Sequence, residues 1–214
     1  MSLPVVIVGA GGHAAVIADV LLCSGREVLG FTDADRTLHG NLICGLPVLG
    51  DDDVLDRYKA DCLRLANGLG GTRGERLRRE VQDRLQSRGW TFDGVRHPSA
   101  IVSSHAKVGP GVHLMAACVV QPGARIGTGC IVNTGAIVEH DADIGDFVHV
   151  APGAVVCGNV RVGEGSHIGA GAVVRQGLQL GPGNIVGAGA VVVMDHSGPG
   201  TLVGVPARPR QGSR

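Results

Sequence analysis

From Val102 to Val192 every sixth residue is aliphatic: Val102, Val108, Leu114, Val120, Ile126, Val132, Val138, Ile144, Val150, Val156, Val162, Ile168, Val174, Leu180, Val186 and Val192. Nothing is inserted anywhere along that frame. Two positions earlier the residue is usually small or apolar, as at Ala100, Ala106, Val112, Cys118, Ala124, Cys130, Ala136, Ala142, Val148 and Ala154. A six-residue period this long is the mark of a parallel β-helix. Strand side chains alternate with period two, so i and i−2 share a face and both enter a narrow core. Three short strands per eighteen-residue coil make a triangular prism, with coils roughly 4.8 Å apart. Gly109, Gly127, Gly145, Gly163 and Gly181 repeat at the coil period and read as a corner where the backbone turns tightly. A sandwich would show period-two alternation with irregular turns and is excluded.

The rest of the 214 residues set bounds on function. Formal charge is zero, which does not point to a nucleic-acid or membrane-surface partner. No apolar run reaches the length of a membrane span, and Met1 to Val8 lacks the pattern of a secretory signal. The six cysteines form no C-x-x-C pair, which disfavours a zinc cluster and suits a reduced, cytoplasmic protein.

Before the coil, Val5 to Val8 reads as a strand feeding Gly9-Ala10-Gly11-Gly12-His13. A helix follows with Val16, Ile17, Val20 and Leu21 on one face, ending near Gly25. A second strand, Val28 to Phe31, leads to Asp33 and Asp35. That is a βαβ start of the G-x-G-x-x-A kind. Leu46 to Gly50, a short helix at 52–58, a strand at 62–66, a charged helix at 73–88 with Leu77, Val81 and Leu85 inward, and a strand at 90–95 complete the region. Glycines free a helix N-terminus to bind phosphate oxygens. A full dinucleotide fold needs two halves, and about 95 residues hold little more than one. A single nucleotide diphosphate fits better than NAD. The expected domains are 1–96, a Rossmann-like nucleotide-binding domain; 97–193, the β-helix; and 194–214, a C-terminal cap over the otherwise open strand edge.

His113, His149 and His167 share one phase of the coil and should face outward, the last two stacked roughly 5 Å apart. Stacked histidines at a subunit interface could hold a metal, as in hexapeptide carbonic anhydrases. His140 stands apart, since Asp141 follows it directly and a carboxylate on one imidazole nitrogen leaves the other as acceptor.

The G-x-G-G-H start, Ile131-Val132-Asn133-Thr134, Glu139-His140-Asp141, His149, Gly158-Asn159 and the Gly204-Val205-Pro206-Ala207-Arg208 ending together resemble the bacterial sugar acyltransferases of the PglD/NeuD type. The resemblance covers essentially the whole chain. It implies a left-handed coil, a homotrimer with active sites between subunits, and acetyl transfer from acetyl-coenzyme A to the amino group of a UDP- or GDP-linked 4-amino sugar, with no metal. Sugar O-acetylation, as of sialic acid, is the alternative within the family. By the same resemblance His140 is the general base and Asp141 its orienting acid. Asn133, His149, Gly158 and Gly187 fall on the acetyl-coenzyme A side. Gly11, Gly12 and His13 face phosphate, and Asp33 and Asp35 lie where the nucleoside is read. The relatives' G-[DN]-N-x-x-R stretch is altered here to Gly70-Gly71-Thr72-Arg73-Gly74-Glu75-Arg76.

Overall fold

The computed structural model describes residues 2–71 and 75–210, which form two compact units, Met1–Pro98 and Ser99–Arg214.

The first unit is a small α/β domain. Strand β1 (Val5–Val8), helix α1 (Gly12–Cys23), β2 (Val28–Thr32), β3 (Leu42–Ile43), β4 (Leu46–Gly50), β5 (Arg64–Asn67) and helix α2 (Glu75–Ser87) follow in order. The sheet order is β3-β4-β2-β1-β5, parallel except for the β3–β4 hairpin. A continuous apolar run such as β1, buried along its whole length, is what a parallel sheet covered on both faces requires. The 52–58 helix is a 3₁₀ turn over Asp52–Arg57, and 90–95 contributes only a bridge at Phe92 and a short strand at Val95–Arg96.

Two helix faces differ from the sequence reading. On α1, Ile17, Val20 and Leu21 are buried, but Val16 is 44% exposed. On α2, Leu85 is buried whereas Leu77 is 51% exposed, and Arg78 and Gln82 lie inside instead. The cause is Asn67 at the end of β5. Its Nδ2 donates to the Arg78 carbonyl (3.0 Å) and to Gln82 Oε1 (3.3 Å), which turns that side of α2 toward the sheet. The altered stretch at 72–74 and Arg73 lie outside the described residues.

The second unit is a left-handed parallel β-helix. Sixteen two-residue strands run from Ile101–Val102 to Val191–Val192 in three stacked sheets. The first face carries 101–102, 119–120, 137–138, 155–156, 173–174 and 191–192. The second carries 107–108, 125–126, 143–144, 161–162 and 179–180. The third carries 113–114, 131–132, 149–150, 167–168 and 185–186, extended by Thr201–Val203 and then by antiparallel Arg208–Pro209. Register is eighteen residues throughout, and the residues at i and i−2 form one continuous core. Toward the last coils that core turns polar. Ser166 Oγ donates to the Gly181 carbonyl and accepts the Asn184 N–H, and Asn184 Nδ2 also donates to Gly181.

The tight corners are not where the eighteen-residue glycine beat puts them. Every sixth residue from Gly111 to Gly189 has a left-handed φ, three positions after each inward aliphatic; ten of these fourteen are glycine. The exceptions are Ala117, Asp141, Phe147 and Asn159. Gly109, Gly127 and Gly145 turn nothing. A Cβ on Gly127 would lie 2.7 Å from the Gly145 carbonyl carbon in the next coil, and one on Gly145 2.7 Å from the Glu164 nitrogen, so close stacking is what excludes a side chain.

Candidate functional site

His140 sits at the corner between the first and second faces, between strands Ile137–Val138 and Asp143–Ile144. Asp141, next in sequence, takes the left-handed corner position at φ 58°. From there its Oδ2 meets His140 Nδ1 at 2.9 Å. A carboxylate only accepts, so Nδ1 carries the proton and Nε2 is left as acceptor. The pair is solvent-accessible, with side chains 58% and 59% exposed. The Nε2–Cε1 edge of the ring lies over Gly158 in the next coil; a Cβ there would stand 2.6 Å from both atoms. Gly158 has an ordinary negative φ, so its missing side chain serves the imidazole and not the turn. Below the pair, a Cβ on Gly123 would run into the Asp141 carboxylate. Among the described residues the Gly158 N–H has no acceptor, while the Asn159 N–H donates to the His140 carbonyl at 3.0 Å.

Asn133 and His149 form a second cluster on the third face. The Thr134 N–H donates to Asn133 Oδ1 (2.8 Å), which orients the amide so that Nδ2 donates to His149 Nε2 (3.1 Å). His149 and His167 stack in register, centroids 4.9 Å apart with rings inclined at 75°, close to the expected coil spacing. Outward orientation does not mean exposure here: His113 and His149 stand outside the coil core yet are 1% and 6% exposed. Gly187 lies on the same face two coils beyond His149, where a Cβ would meet Val203 Cγ1 at 2.9 Å. In a triangular prism the third face is opposite the corner between the first and second. One chain therefore separates His140 and Asp141 from Asn133, His149 and Gly187 by the width of the coil.

The remaining candidates gather in the first unit. α1 begins at Gly12 behind the N-cap Gly11, which offers no side-chain cap, and its first turn holds no acid. Gly11 and Gly12 are exposed, and a Cβ on either would meet nothing within 4 Å. Both leave room for a ligand to approach the backbone. His13 is half-buried, and its imidazole is lowered from the usual 6.5 to about 4, chiefly by burial and secondly by the Arg78 guanidinium. The sequence reading missed Arg78, a buried cation beside the helix start; its place among the charged residues of α2 hid it. Asp33 is held by the backbone on both sides. Its Oδ2 accepts the Ala10 N–H and its Oδ1 the Asp35 N–H, both at 2.8 Å, so it ties the glycine loop to the end of β2. Asp35 caps the following turn by accepting from the Thr37 N–H and hydroxyl, which holds its carboxyl below the usual range.

Two family profiles match the chain: the PglD N-terminal domain over residues 4–85, and the bacterial transferase hexapeptide (six repeats) over 141–176. The chain is 37% identical to the acetyltransferase domain of PglB from Neisseria gonorrhoeae FA1090, solved in complex with acetyl coenzyme A, at a TM-score of 0.91 over 98% of this chain and 100% of that one. The chain belongs to the PglD-type hexapeptide acyltransferases. PerB from Caulobacter crescentus, solved in complex with CoA and GDP-perosamine, is 37% identical with a TM-score of 0.90 over 97% of each chain. WeeI from Acinetobacter baumannii AYE is 26% identical, with a TM-score of 0.80 over 98% and 100%. No match is found among curated protein sequences. Family membership brings acyl transfer with it and replaces the metal reading of the stacked histidines. No helix among the described residues is long and apolar enough to cross a membrane.

The His13 environment gives a pH signature. Its folded pKa lies below its unfolded one, so the unfolded chain takes up the proton first as pH falls. Stability is full above about 6.5, declines toward pH 4, and is flat below. The span amounts to no more than about 3 kcal/mol. Urea unfolding at pH 7 and pH 4.5 should show this loss, and His13→Asn should flatten the difference between the two.

Proposed function

We propose that His140 and Asp141 of one subunit, with Asn133, His149 and Gly187 of a neighbouring copy, form the acetyl-transfer centre, and that Gly11, Gly12 and His13 hold the nucleotide diphosphate of the acceptor. The activity is acetyl-coenzyme A-dependent N-acetylation of a nucleotide-linked amino sugar. The imidazole seated over Gly158 is the observation that carries the assignment. The amine attacks the thioester carbonyl, forming the C–N bond. His140 Nε2 takes the ammonium proton as the tetrahedral intermediate collapses, the C–S bond breaks, and the proton passes to the departing thiolate. The Gly158 N–H is the available donor for the oxyanion. Asp141 keeps the proton on Nδ1 and steadies the imidazolium.

The reading calls for a homotrimer, and we infer one. The outward column of the first face is aliphatic throughout: Ile101, Val119, Ile137, Val155, Val173 and Val191, with Ile101 66% exposed. A second copy covering that stripe would bring its third face toward His140 and complete a centre that one chain divides. The six free cysteines suit a reducing compartment, and we place the reaction in the cytoplasm. Asp33 and Asp35 stand at the nucleoside end, with Asp33 also anchoring the glycine loop through the Ala10 N–H.

The acceptor is tested with a panel of UDP- and GDP-linked 4-amino sugars and acetyl-coenzyme A, following products by mass spectrometry. A single added acetyl on nitrogen is expected; acetylation only at oxygen, or only of free sugar, would reject the assignment. UDP or GDP should raise the Tm and NAD should not, because only a ligand of the folded state does so. Gly11→Val should abolish that shift by filling the space where phosphate meets the backbone.

A further inference from the structure

We infer that Asn159 selects the acceptor: its carboxamide hydrogen-bonds the ring hydroxyl beside the amine that is acetylated, the C3 hydroxyl of a 4-amino sugar. This rests on the N-acetylation reading above and adds to it a residue that discriminates among amino sugars.

The starting point is a left-handed corner that the fold does not explain. From Gly111 to Gly189 only Ala117, Asp141, Phe147 and Asn159 hold such a corner without being glycine. A side chain there works against the backbone, and three of the four have a visible cause. Phe147 is buried, and its ring occupies the space beside Gly129, where a Cβ would stand 2.7 Å from Phe147 Cε1. Asp141 meets His140 Nδ1. Ala117 adds only a methyl, and its N–H donates to Ser99 Oγ at 3.0 Å. Asn159, at φ 58°, has no such cause. Its side chain is exposed and, among the described residues, makes no hydrogen bond. Asparagine tolerates this conformation better than most residues, yet glycine carries no penalty at all and stands one coil further on at Gly177. A strained residue at a reacting centre, with nothing in the chain to hold it, points to a ligand.

Its place decides which ligand. Asn159 follows Gly158, over which the imidazole edge lies, and its own N–H donates to the His140 carbonyl at 3.0 Å. It stands one coil beyond Asp141 in the same column, a step of roughly 4.8 Å. The amine must come within about 3 Å of His140 Nε2 to give up its proton, so it too sits at this corner. A thioester carbonyl needs only donors, and the Gly158 N–H is one. A ring hydroxyl both donates and accepts, and a carboxamide offers an acceptor and two donors in one group. The hydroxyl nearest the amine is on the adjacent ring carbon. In a 4-amino pyranose that carbon is C3, because C5 bears the ring oxygen. A site that bonds a substrate hydroxyl disfavours the analogue lacking it, since its own polar group is then left unpaired. Asn159 remains open to water, which keeps that discrimination moderate.

The test is steady-state kinetics of the full chain with acetyl-coenzyme A and a nucleotide-linked 4-amino sugar, beside the same sugar lacking the C3 hydroxyl. The parent should favour the hydroxylated sugar by about five- to tenfold in kcat/KM, the worth of one uncharged hydrogen bond. Asn159→Gly should fall to the deoxy sugar's value with both. Its KM for acetyl-coenzyme A should match the parent's, and its Tm should not drop, because glycine suits the corner. Asn159→Asp accepts from a hydroxyl but donates nothing, and should retain part of the preference. A parent that treats the two sugars alike, or an Asn159→Gly that keeps the preference, would overturn the inference. So would an equal loss with both sugars, which marks a structural role, or a raised KM for acetyl-coenzyme A, which moves the carboxamide to the donor. If the parent acetylates neither sugar, the N-acetylation reading itself falls; if it acetylates them and the variants match it, only this inference falls.

Discussion

His140→Ala should lower kcat by about 10²–10⁴, the range expected when a general base is removed. KM for either substrate should move little, because the nucleotide and the coenzyme supply most of the contacts. Side chains at this corner are exposed, so the fold should be unaffected and the loss can be read as chemistry. Asp141→Asn keeps the corner but replaces an acceptor with an amide that can present a donor to Nδ1. The imidazole then loses its fixed tautomer, and a smaller loss is expected. Gly158→Ala is the complementary change. Its methyl would stand where the ring edge now lies, so the base is pushed aside without being deleted. Steady-state rates with the nucleotide-linked amino sugar that accepts the acetyl group decide the matter. A loss below tenfold for His140→Ala would move the base elsewhere, with His149 next in line.

Val156→Asp should abolish soluble protein. Val156 is fully buried at the centre of the aliphatic column, between Val138 and Val174 in the coils below and above. A carboxylate there has no partner and no water, a cost of roughly 3–5 kcal/mol against a domain stability of comparable size. Each coil also rests on its neighbours, so the damage spreads along the ladder. Soluble yield and sedimentation check this. A monodisperse variant with the parent's Tm would overturn the inward assignment of the frame.

The coil was readable in advance because its rule is a spacing rule. A narrow prism admits one branched residue and one small residue per face, and Val138 with Ala136, or Val156 with Ala154, state that directly. The corners were less readable. Glycine occurs in this chain both to turn the backbone, as at Gly123, and to let coils approach, as at Gly127, and the eighteen-residue beat belongs to the second cause. The His140–Asp141 pair was legible as His-Asp, but its support was not, since Gly158 looks like any other glycine until the imidazole is seen above it. In the first unit the periodicity of α2 favoured Leu77 inward. The amide of Asn67, eleven residues before Arg78, decides otherwise through hydrogen bonds that no helical pattern encodes. Asp33 shows the same limit: an acid at the end of β2 was expected, and its two backbone partners were not.

The left-handed corners set backbone preference against the proposed chemistry at one residue. A non-glycine there gives up roughly 1–2 kcal/mol of backbone preference, and Asp141 occupies such a corner with Gly123 one coil before it and Gly177 two coils after. Improvement of this scaffold for heat resistance alone would therefore favour replacing the acid that meets His140 Nδ1. A more durable version and a more active one diverge first at Asp141.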